Sequence, residues 1–282
     1  MPRMSKHAYL ASFAKRDEIN TEHEKMNIEA YLRRINYSGS LEPTAETLRA
    51  LQVAHLLAVP FENLSIHAGE PIVLSEDSLF AKIVQNRRGG FCYEANGLFA
   101  GLLRALGFEV AMLSAGVARR DGGFGPDFDH MTLMVTLAER WLVDVGFGDS
   151  FLEPLLLDSR EEQVQGTRAF RIVADNNHLI LERRDLGGDW QPQYRFTLQP
   201  HTFSEYEQMC HFHQTSPESH FTKAPLCSIA TSDGRITLTG LRLITTSAQQ
   251  RNEDALADRD SFDHTLRDRF GIVMKNHVRV DF

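Results

Sequence analysis

The stretch Arg88-Gly89-Gly90-Phe91-Cys92-Tyr93-Glu94-Ala95-Asn96-Gly97-Leu98-Phe99 runs two glycines into a cysteine and then into a helical pattern. Apolar residues recur at helical spacing up to a C-cap glycine at Gly107, namely Ala95, Leu98, Phe99, Leu102, Leu103 and Leu106. Cys92 is therefore predicted to lie in the first turn of a helix, where free backbone N–H groups and the helix dipole lower the pKa of a thiol. The glycines are expected to permit a tight turn and to leave space for an acyl group. A buried structural cysteine is the alternative interpretation.

The composition is that of an ordinary globular protein. The chain has 282 residues, a net charge of −8, 42% hydrophobic residues and 24% charged residues. The acidic balance argues against nucleic acid or an anionic membrane surface as a partner, and no apolar run is long enough to cross a membrane. Three cysteines and an N-terminus without a signal-like apolar segment favour a reducing location, so we expect a cytoplasmic protein.

The order of patterns predicts an α+β chain with a helical part, a β part and a mixed part. Residues 1–25 show no sustained period and are interpreted as an N-terminal extension. Residues 26–108 are predicted to be mainly helical, with a cap at Asn27 and a second helix that begins at Pro43-Thr44. In that second helix the inward-facing residues are expected to be Leu48, Leu51, Val53, Leu56 and Leu57.

From Gly107 onward the periodicity changes to that of strands. Residues 109–210 are predicted to form an antiparallel barrel or sandwich, with a hairpin at Asp175-Asn176-Asn177. Residues 211–282 are predicted to combine two short strands around Ser232-Asp233-Gly234 with a helix. In that helix Phe262, Leu266 and Phe270 recur every four residues.

A thiol nucleophile needs a base, and the base needs a partner that fixes its tautomer. Of twelve histidines, only His130 lies where a glycine-rich loop meets a strongly apolar strand. The next strand carries one carboxylate among apolar residues, Asp144, which is costly unless paired. If the two strands form a hairpin, His130 and Asp144 lie at the same end, and a Cys-His-Asp triad follows. Three unrelated buried polar residues are the alternative.

Two further groups of residues have weaker patterns. The stretch Cys210 to His220 carries a cysteine and several histidines that could ligate zinc, but it lacks a second pair of ligands at a recognised spacing. A solvated connector is the favoured interpretation, and no metal is expected. Glu62 and Arg88 are expected to form an ion pair that supports the cysteine loop.

Four motifs together resemble the arylamine N-acetyltransferase family: Arg88-Gly89-Gly90-Phe91-Cys92, Pro60-Phe61-Glu62-Asn63-Leu64, Asp129-His130-Met131 and Val143-Asp144-Val145-Gly146-Phe147-Gly148. They occur in the family's order and at its approximate spacing, and the resemblance covers about residues 26–282. It implies an N-terminal helical bundle, a central antiparallel β-barrel and a C-terminal α/β lid, with a core similar to that of papain-like cysteine proteases.

The resemblance also implies a chemistry. Cys92 would be the nucleophile, His130 the base and Asp144 the orienting carboxylate, with acetyl-CoA as co-substrate. A ping-pong reaction would pass the acetyl group through a Cys92 thioester to an arylamine, arylhydrazine or N-hydroxyarylamine. Phe61, Phe147 and Phe221 would line the acceptor pocket, and Glu62 with Arg88 would be a structural ion pair. Another acyl transfer with the same triad, such as amide synthesis or peptide hydrolysis, stays open, as does a zinc-stabilised binding module.

Overall fold

The computed structural model describes residues 26–247 and 250–280, so the predicted extension over residues 1–25 lies outside the described part of the chain. The first segment is helical, as predicted. Its elements are α1 (Ile28–Arg34), α2 (Ala45–Ala58), a two-residue strand β1 (Phe61–Glu62), α3 (Leu64–His67), α4 (Glu76–Phe80), a π-helical turn (Ala81–Gln85) and α5 (Cys92–Ala105).

Local capping explains where the first two helices begin. The Asn27 side chain accepts the Ala30 N–H at 2.9 Å, which confirms the predicted cap, and Thr44 caps α2 through the Thr47 N–H. The predicted inner face of α2 is partly wrong. Leu48 and Leu51 are fully buried, but Leu57 is 38% exposed. The buried stripe is completed by the polar residues that follow Leu48 and Leu51 at i+4, Gln52 and His55.

The middle segment forms an eight-stranded antiparallel sheet that curls into a nearly closed barrel. The strands are β2 (Glu109–Val117), β3 (His130–Thr136), β4 (Arg140–Val143), β5 (Leu155–Leu156), β6 (Gln163–Gln165), β7 (Arg168–Asp175), β8 (His178–Asp185) and β9 (Gln191–His201). Their spatial order in the sheet is β5-β4-β3-β2-β9-β8-β7-β6. The predicted hairpin around Asn176 is confirmed, and that residue takes a left-handed φ of 52° in the turn between β7 and β8.

The last segment packs a second sheet against a helix. Helix α6 (Glu207–Thr215) leads from the barrel to strands β10 (Leu226–Ala230), β11 (Gly234–Thr239), β12 (Arg242–Ser247) and β13 (Arg251–Ala255), followed by α7 (Arg259–Phe270). The predicted helical residues Phe262, Leu266 and Phe270 are buried, and Gly271 ends α7 in a left-handed conformation. The prediction of two strands was incomplete. Over the described residues this sheet has five strands, and one of its two edge strands is β1 from the helical segment.

The α+β fold class, with a helical bundle, an antiparallel barrel and an α/β lid, is confirmed. The division at residues 109 and 211 stays a prediction. Within the described ranges, none of the helices has both the length and the apolar character needed to cross a bilayer.

Candidate active site

Cys92 is the first residue of α5, as its sequence pattern predicts. The preceding residue, Phe91, is extended and donates its backbone N–H to the Glu94 carboxylate at 3.2 Å. This bond satisfies a donor that would otherwise be free at the helix start. The Cys92 side chain is only 3% exposed. The thiol is therefore held at a capped helix start beneath the surface.

The two glycines before Cys92 let the backbone pack closely against neighbouring atoms. A Cβ atom on Gly89 would lie 1.9 Å from the carbonyl oxygen of Pro60, and one on Gly90 would press against Glu94. The backbone of Gly90 also exchanges hydrogen bonds with the segment 60–62, donating to Pro60 and accepting from Glu62. The glycines thus let the cysteine loop run alongside β1 by close backbone approach, and the expected space for an acyl group stays a prediction.

His130 and Asp144 lie at the same end of the β3–β4 hairpin. His130 opens β3, and Asp144 directly follows the last residue of β4. Nε2 of His130 lies 2.7 Å from Oδ2 of Asp144, and both side chains are buried. Because an ionised carboxylate only accepts hydrogen bonds, the imidazole proton belongs on Nε2. This tautomer leaves Nδ1 with a free lone pair, as a general base requires.

Asn96 is a site residue that the sequence analysis missed. It follows Cys92 by one helical turn, and its Nδ2 donates to the Met131 carbonyl at 2.7 Å and to Oδ1 of Asp144 at 2.9 Å. Its Oδ1 accepts the Val145 N–H at 2.9 Å. The signal was present, because a polar residue at i+4 from Cys92 interrupts an otherwise apolar helix face. A single amide therefore ties the cysteine helix to both β3 and the Asp144 loop.

The pKa of the Cys92 thiol is shifted in the direction opposite to the one expected from its place at a helix start. Burial raises the pKa of Cys92 well above its ordinary value, although a hydrogen bond from the Met131 backbone lowers it. Negative charge on Asp144 raises this pKa further. The helix N-terminus favours the thiolate, but the loss of water on burial disfavours it and is the larger effect. Burial therefore disfavours the thiolate, and a base that removes the proton would promote attack by the sulfur on a carbonyl group.

The expected aromatic residues lie next to this arrangement. The Phe147 ring meets the His130 ring edge-on, with centroids 5.1 Å apart. Phe61 and Phe147 line one cavity of about 400 Å³. Phe221 packs against Phe61 and against Phe91, with centroid distances of 6.1 Å and 5.5 Å. The wall beside His130 is therefore apolar and aromatic.

Glu62 and Arg88 are in contact beneath the cysteine loop. Arg88 Nη2 lies 2.7 Å from Glu62 Oε1, and Lys82 bridges Glu62 and Glu94 from the π-helical turn. Burial would raise the pKa of Glu62, but Lys82 and Arg88 together hold it below its usual range. The predicted pair is part of a larger buried network that includes the carboxylate capping α5.

The polar side chains of the Cys210 to His220 stretch form hydrogen bonds and an ion pair with nearby residues. Within the described residues, no group of three or more His, Cys, Asp or Glu side chains is arranged to hold a metal ion. Cys210 accepts a hydrogen bond from Gln214, and burial raises its pKa to about 12. His213 lies 3.0 Å from Ser219 Oγ and 3.2 Å from Asp129, the residue before His130. This stretch therefore packs against the candidate site as part of α6 and the turn that follows. Because Cys210 and His213 are buried in it, the interpretation as a solvated connector was partly wrong.

These features define a class of site in which a helix that begins with a buried thiol is tied through Asn96 to a histidine–carboxylate pair supplied by a β-barrel. The chain belongs to the arylamine N-acetyltransferase family. A family model described as N-acetyltransferase matches residues 44–279. Membership implies an enzyme that transfers acetyl groups from acetyl-CoA.

Three comparisons illustrate the similarity. A pineal gland isozyme of arylamine N-acetyltransferase from Gallus gallus is 33% identical, covering 90% of this chain and 96% of its own length. The arylamine N-acetyltransferase of Mycobacterium marinum, solved in complex with CoA, superposes with a TM-score of 0.81 at 34% identity, covering 87% of this chain and 93% of that one. The proansamycin X synthase of Amycolatopsis mediterranei is 32% identical, covering 84% of this chain and 94% of its own length.

Proposed function

We propose that this enzyme moves an acetyl group from acetyl-CoA to a small aromatic amine, hydrazine or N-hydroxyarylamine through an acetyl-thioester on Cys92. The observation that carries the proposal is the buried 2.7 Å contact between His130 and Asp144. Asn96 links this pair to the helix that begins at Cys92. A base with a fixed tautomer is what a buried thiol needs to act as a nucleophile.

In the first half-reaction His130 acts as the base. Nδ1 takes the Cys92 proton while the sulfur attacks the acetyl carbonyl carbon, and Asp144 stabilises the imidazolium that forms. The tetrahedral intermediate then expels the CoA sulfur, which takes the proton back from His130 and leaves as a free thiol. Because one thioester is exchanged for another, the free energy of the acetyl-enzyme with CoA is close to that of the enzyme with acetyl-CoA.

In the second half-reaction the acceptor nitrogen attacks the same carbonyl carbon. His130 Nδ1 removes a proton from the nitrogen, and Cys92 leaves and is reprotonated. The apolar wall that contains Phe61 and Phe147 suits an aromatic ring. An aromatic amine also has a weakly basic nitrogen, whose lone pair is free at neutral pH.

Intact mass spectrometry tests the thioester directly. The protein is mixed with acetyl-CoA and no acceptor, and free CoA is measured in parallel. We expect the mass to rise by one acetyl group, with an equal amount of CoA released and the group located on Cys92. Cys92→Ala, which removes the sulfur while retaining the helix start, should show neither change. An unmodified wild-type protein would rule out the proposed intermediate.

The role of Asp144 has its own test. Asp144→Asn is expected to lower kcat/KM by roughly 10³- to 10⁴-fold, because an amide would favour the wrong tautomer of His130. The rate of acetyl-enzyme formation and the melting temperature are measured together. A folded Asp144→Asn protein with near-normal acetylation would contradict the orienting role.

A second acyl transfer with the same residues is favoured by one comparison. The proansamycin X synthase among the relatives, at 32% identity, bears a name other than arylamine N-acetyltransferase, so we keep amide synthesis by the same triad as the alternative outcome. The two functions differ at the acceptor step. Acetyl-enzyme that is discharged by arylamines and hydrazides supports the lead proposal. If no arylamine discharges the acetyl-enzyme faster than water does, the alternative acyl transfer is favoured.

A further inference from the structure

Helix α2 carries a second apolar stripe, which lines a groove at the surface. The core-facing stripe of α2 contains Leu48 and Leu51. The second stripe repeats at i, i+3, i+4, i+7 and i+8 and consists of Ala50, Val53, Ala54, Leu57 and Ala58. Val53 and Leu57 were expected to face the core, yet Leu57 is 38% exposed. A helix that already buries one apolar face and presents another to water indicates that a further segment covers it.

The groove has a volume of about 600 Å³ and an acidic border. Ile35, which follows α1, contributes to it, and so does Glu153, which lies just before β5. Glu46 and Arg49 also line the groove, and Arg49 pairs with Glu153 at 3.0 Å. Two carboxylates and one guanidinium leave one negative charge in excess. The groove therefore suits an apolar occupant with cations beside it.

The chain itself contains such a stretch among residues 1–25, which lie outside the described part. The run Ala8-Tyr9-Leu10-Ala11-Ser12-Phe13-Ala14 has a single hydroxyl residue, Ser12, among side chains that are otherwise mainly apolar. Lys6 precedes this run, and Lys15-Arg16 follows it directly. The run thus matches the groove in both apolar character and charge.

The described chain begins within reach of the groove. Met26 lies against α5, because a Cβ atom on Gly101 would come within 2.7 Å of the Met26 methyl carbon. The seven residues of α1 lead from there to Ile35 at the groove, a distance of about 10 Å along the helix. Residues 15–25 can span up to about 36 Å, which is more than enough.

The size of the groove favours a short segment over a second copy of the protein. Residues 50–58 extend along about 12 Å of one helix. A stable interface between two proteins covers about 800 Å² on each partner, far more than one side of so short a stretch provides.

We propose that residues 8–14 of this chain bind in the groove beside α2, with their apolar side chains on the stripe that contains Leu57. Lys6 or Lys15 then lies near Glu46 and Glu153. The chain covers its own apolar stripe in this way. The docking involves neither Cys92 nor His130, so the inference does not depend on the proposed function.

Carbodiimide cross-linking of the full chain tests which segment occupies the groove. The reagent joins an amine to a carboxylate only where the two are in contact, and mass spectrometry of the digested protein identifies the linked pair. We expect Lys6 or Lys15 to be joined to Glu46 or Glu153 within one chain. A mixture of unlabelled and ¹⁵N-labelled protein separates links within a chain from links between chains. Links that form only between chains, or no link from Lys6 or Lys15 to the groove, would overturn the inference.

Limited trypsin digestion of the folded protein tests the apolar contact. Cleavage after Lys15 and Arg16 requires the segment to leave the groove, so its rate follows the undocked fraction. Leu57→Gln and Phe13→Gln are each expected to raise this rate by about tenfold, as for the loss of one buried apolar side chain. Leu186→Gln is the matched control, because Leu186 is 52% exposed between β8 and β9 and does not line the groove. It should be cleaved like the wild type.

Two results of the digestion would contradict the docking. One is an unchanged cleavage rate in both Leu57→Gln and Phe13→Gln, and the other is an equal rise in Leu186→Gln. Phe13→Gln makes the same test from the side of the segment, so it decides the question should Leu57→Gln fail to fold.

Discussion

Asn96 joins three parts of the candidate site through one side-chain amide. Its contacts reach the carbonyl beside His130, the Asp144 carboxylate and the Val145 N–H. All three partners are buried, so losing the amide leaves polar groups without water to replace it. Asn96 touches neither a reacting atom nor a substrate, and we infer that it is a positioning residue.

We predict that Asn96→Ala lowers kcat/KM by about 10- to 100-fold, because small displacements of catalytic groups are costly. The effect should fall on the rate of acetyl-enzyme formation, which single-turnover mass spectrometry measures. Asn252→Ala, on the exposed strand β13, is the control and should retain the wild-type rate. A variant with a lowered melting temperature but a normal acetylation rate would show that Asn96 is only structural.

The residues that the sequence predicted share a simple local origin. Cys92 follows from glycines before an apolar period, and the contact between His130 and Asp144 follows from the length of one hairpin. The raised pKa of the thiol could not be predicted this way. It depends on burial by elements far apart in the chain, and a sequence pattern does not give the amount of water excluded.

At the scale of elements, α6 is joined to the loop that precedes β3. His213 of α6 lies 3.2 Å from Asp129, whose Oδ2 accepts the Val117 N–H. Burial would raise the pKa of Asp129, but His213 and Val117 hold it below its usual range. The carboxylate is therefore ionised, and it links the lid helix to the residue beside His130.

We predict that His213→Leu loosens the loop over residues 119–129. Losing a contact of about 1 kcal/mol should raise the rate of tryptic cleavage after Arg119 and Arg120 roughly fivefold. The cleavage sites are identified by mass spectrometry, and the KM of the acceptor is measured alongside. His211→Leu, on the exposed face of the same helix, is the matched control and should be cleaved like the wild type. Equal cleavage of both variants would remove the proposed link.

Strands of the second sheet show where pattern-based prediction stops. Strand β13, Arg-Asn-Glu-Asp-Ala, is exposed at every position, so it has none of the alternation that marks a half-buried strand. Strand β1 has only two residues, which is too short for an alternating pattern to show. Both are strands because a neighbour offers backbone groups, Ser228 opposite Phe61 in one case and Ile244 opposite Glu253 in the other. Whether such a segment becomes a strand therefore depends on the neighbouring strand, and its own sequence does not predict it.

At the scale of the molecule, stability depends on polar groups buried in the helical segment. Glu62 is fully buried, and it accepts hydrogen bonds from the Leu64 N–H and from Arg88. Removing the negative charge of Glu62 would leave the positive charges of Arg88 and Lys82 only partly neutralised. The cost of breaking such a pair exceeds what an exposed pair contributes.

We predict that Glu62→Gln lowers the free energy of unfolding by about 3–5 kcal/mol, as expected when one partner of a buried ion pair is removed. Urea denaturation followed by circular dichroism measures the change. Glu29→Gln removes a carboxylate from an exposed pair with Arg33 and serves as the control, for which little change is expected. Similar values for the two variants would mean that the buried network does not stabilise the fold.

His55 gives the whole molecule a defined response to acid. Its ring lies against Phe99, with Nδ1 2.9 Å from the Tyr31 hydroxyl, and burial lowers its pKa to about 3. In the unfolded chain a histidine titrates near pH 6.5. The unfolded state therefore binds one more proton between these values, so stability is full above pH 6.5 and falls as the pH drops towards 3.

We predict that His55→Phe weakens this acid sensitivity by about 1.4 kcal/mol per pH unit below pH 6.5, the value for one proton. Free energies of unfolding at pH 7, 6, 5 and 4 measure the slope. Tyr31→Phe removes the hydrogen bond but keeps the imidazole, so it should lower stability without flattening the slope. A slope that is the same in His55→Phe and in the wild type would mean that this histidine does not stay neutral in the folded protein, whatever the two variants cost at pH 7.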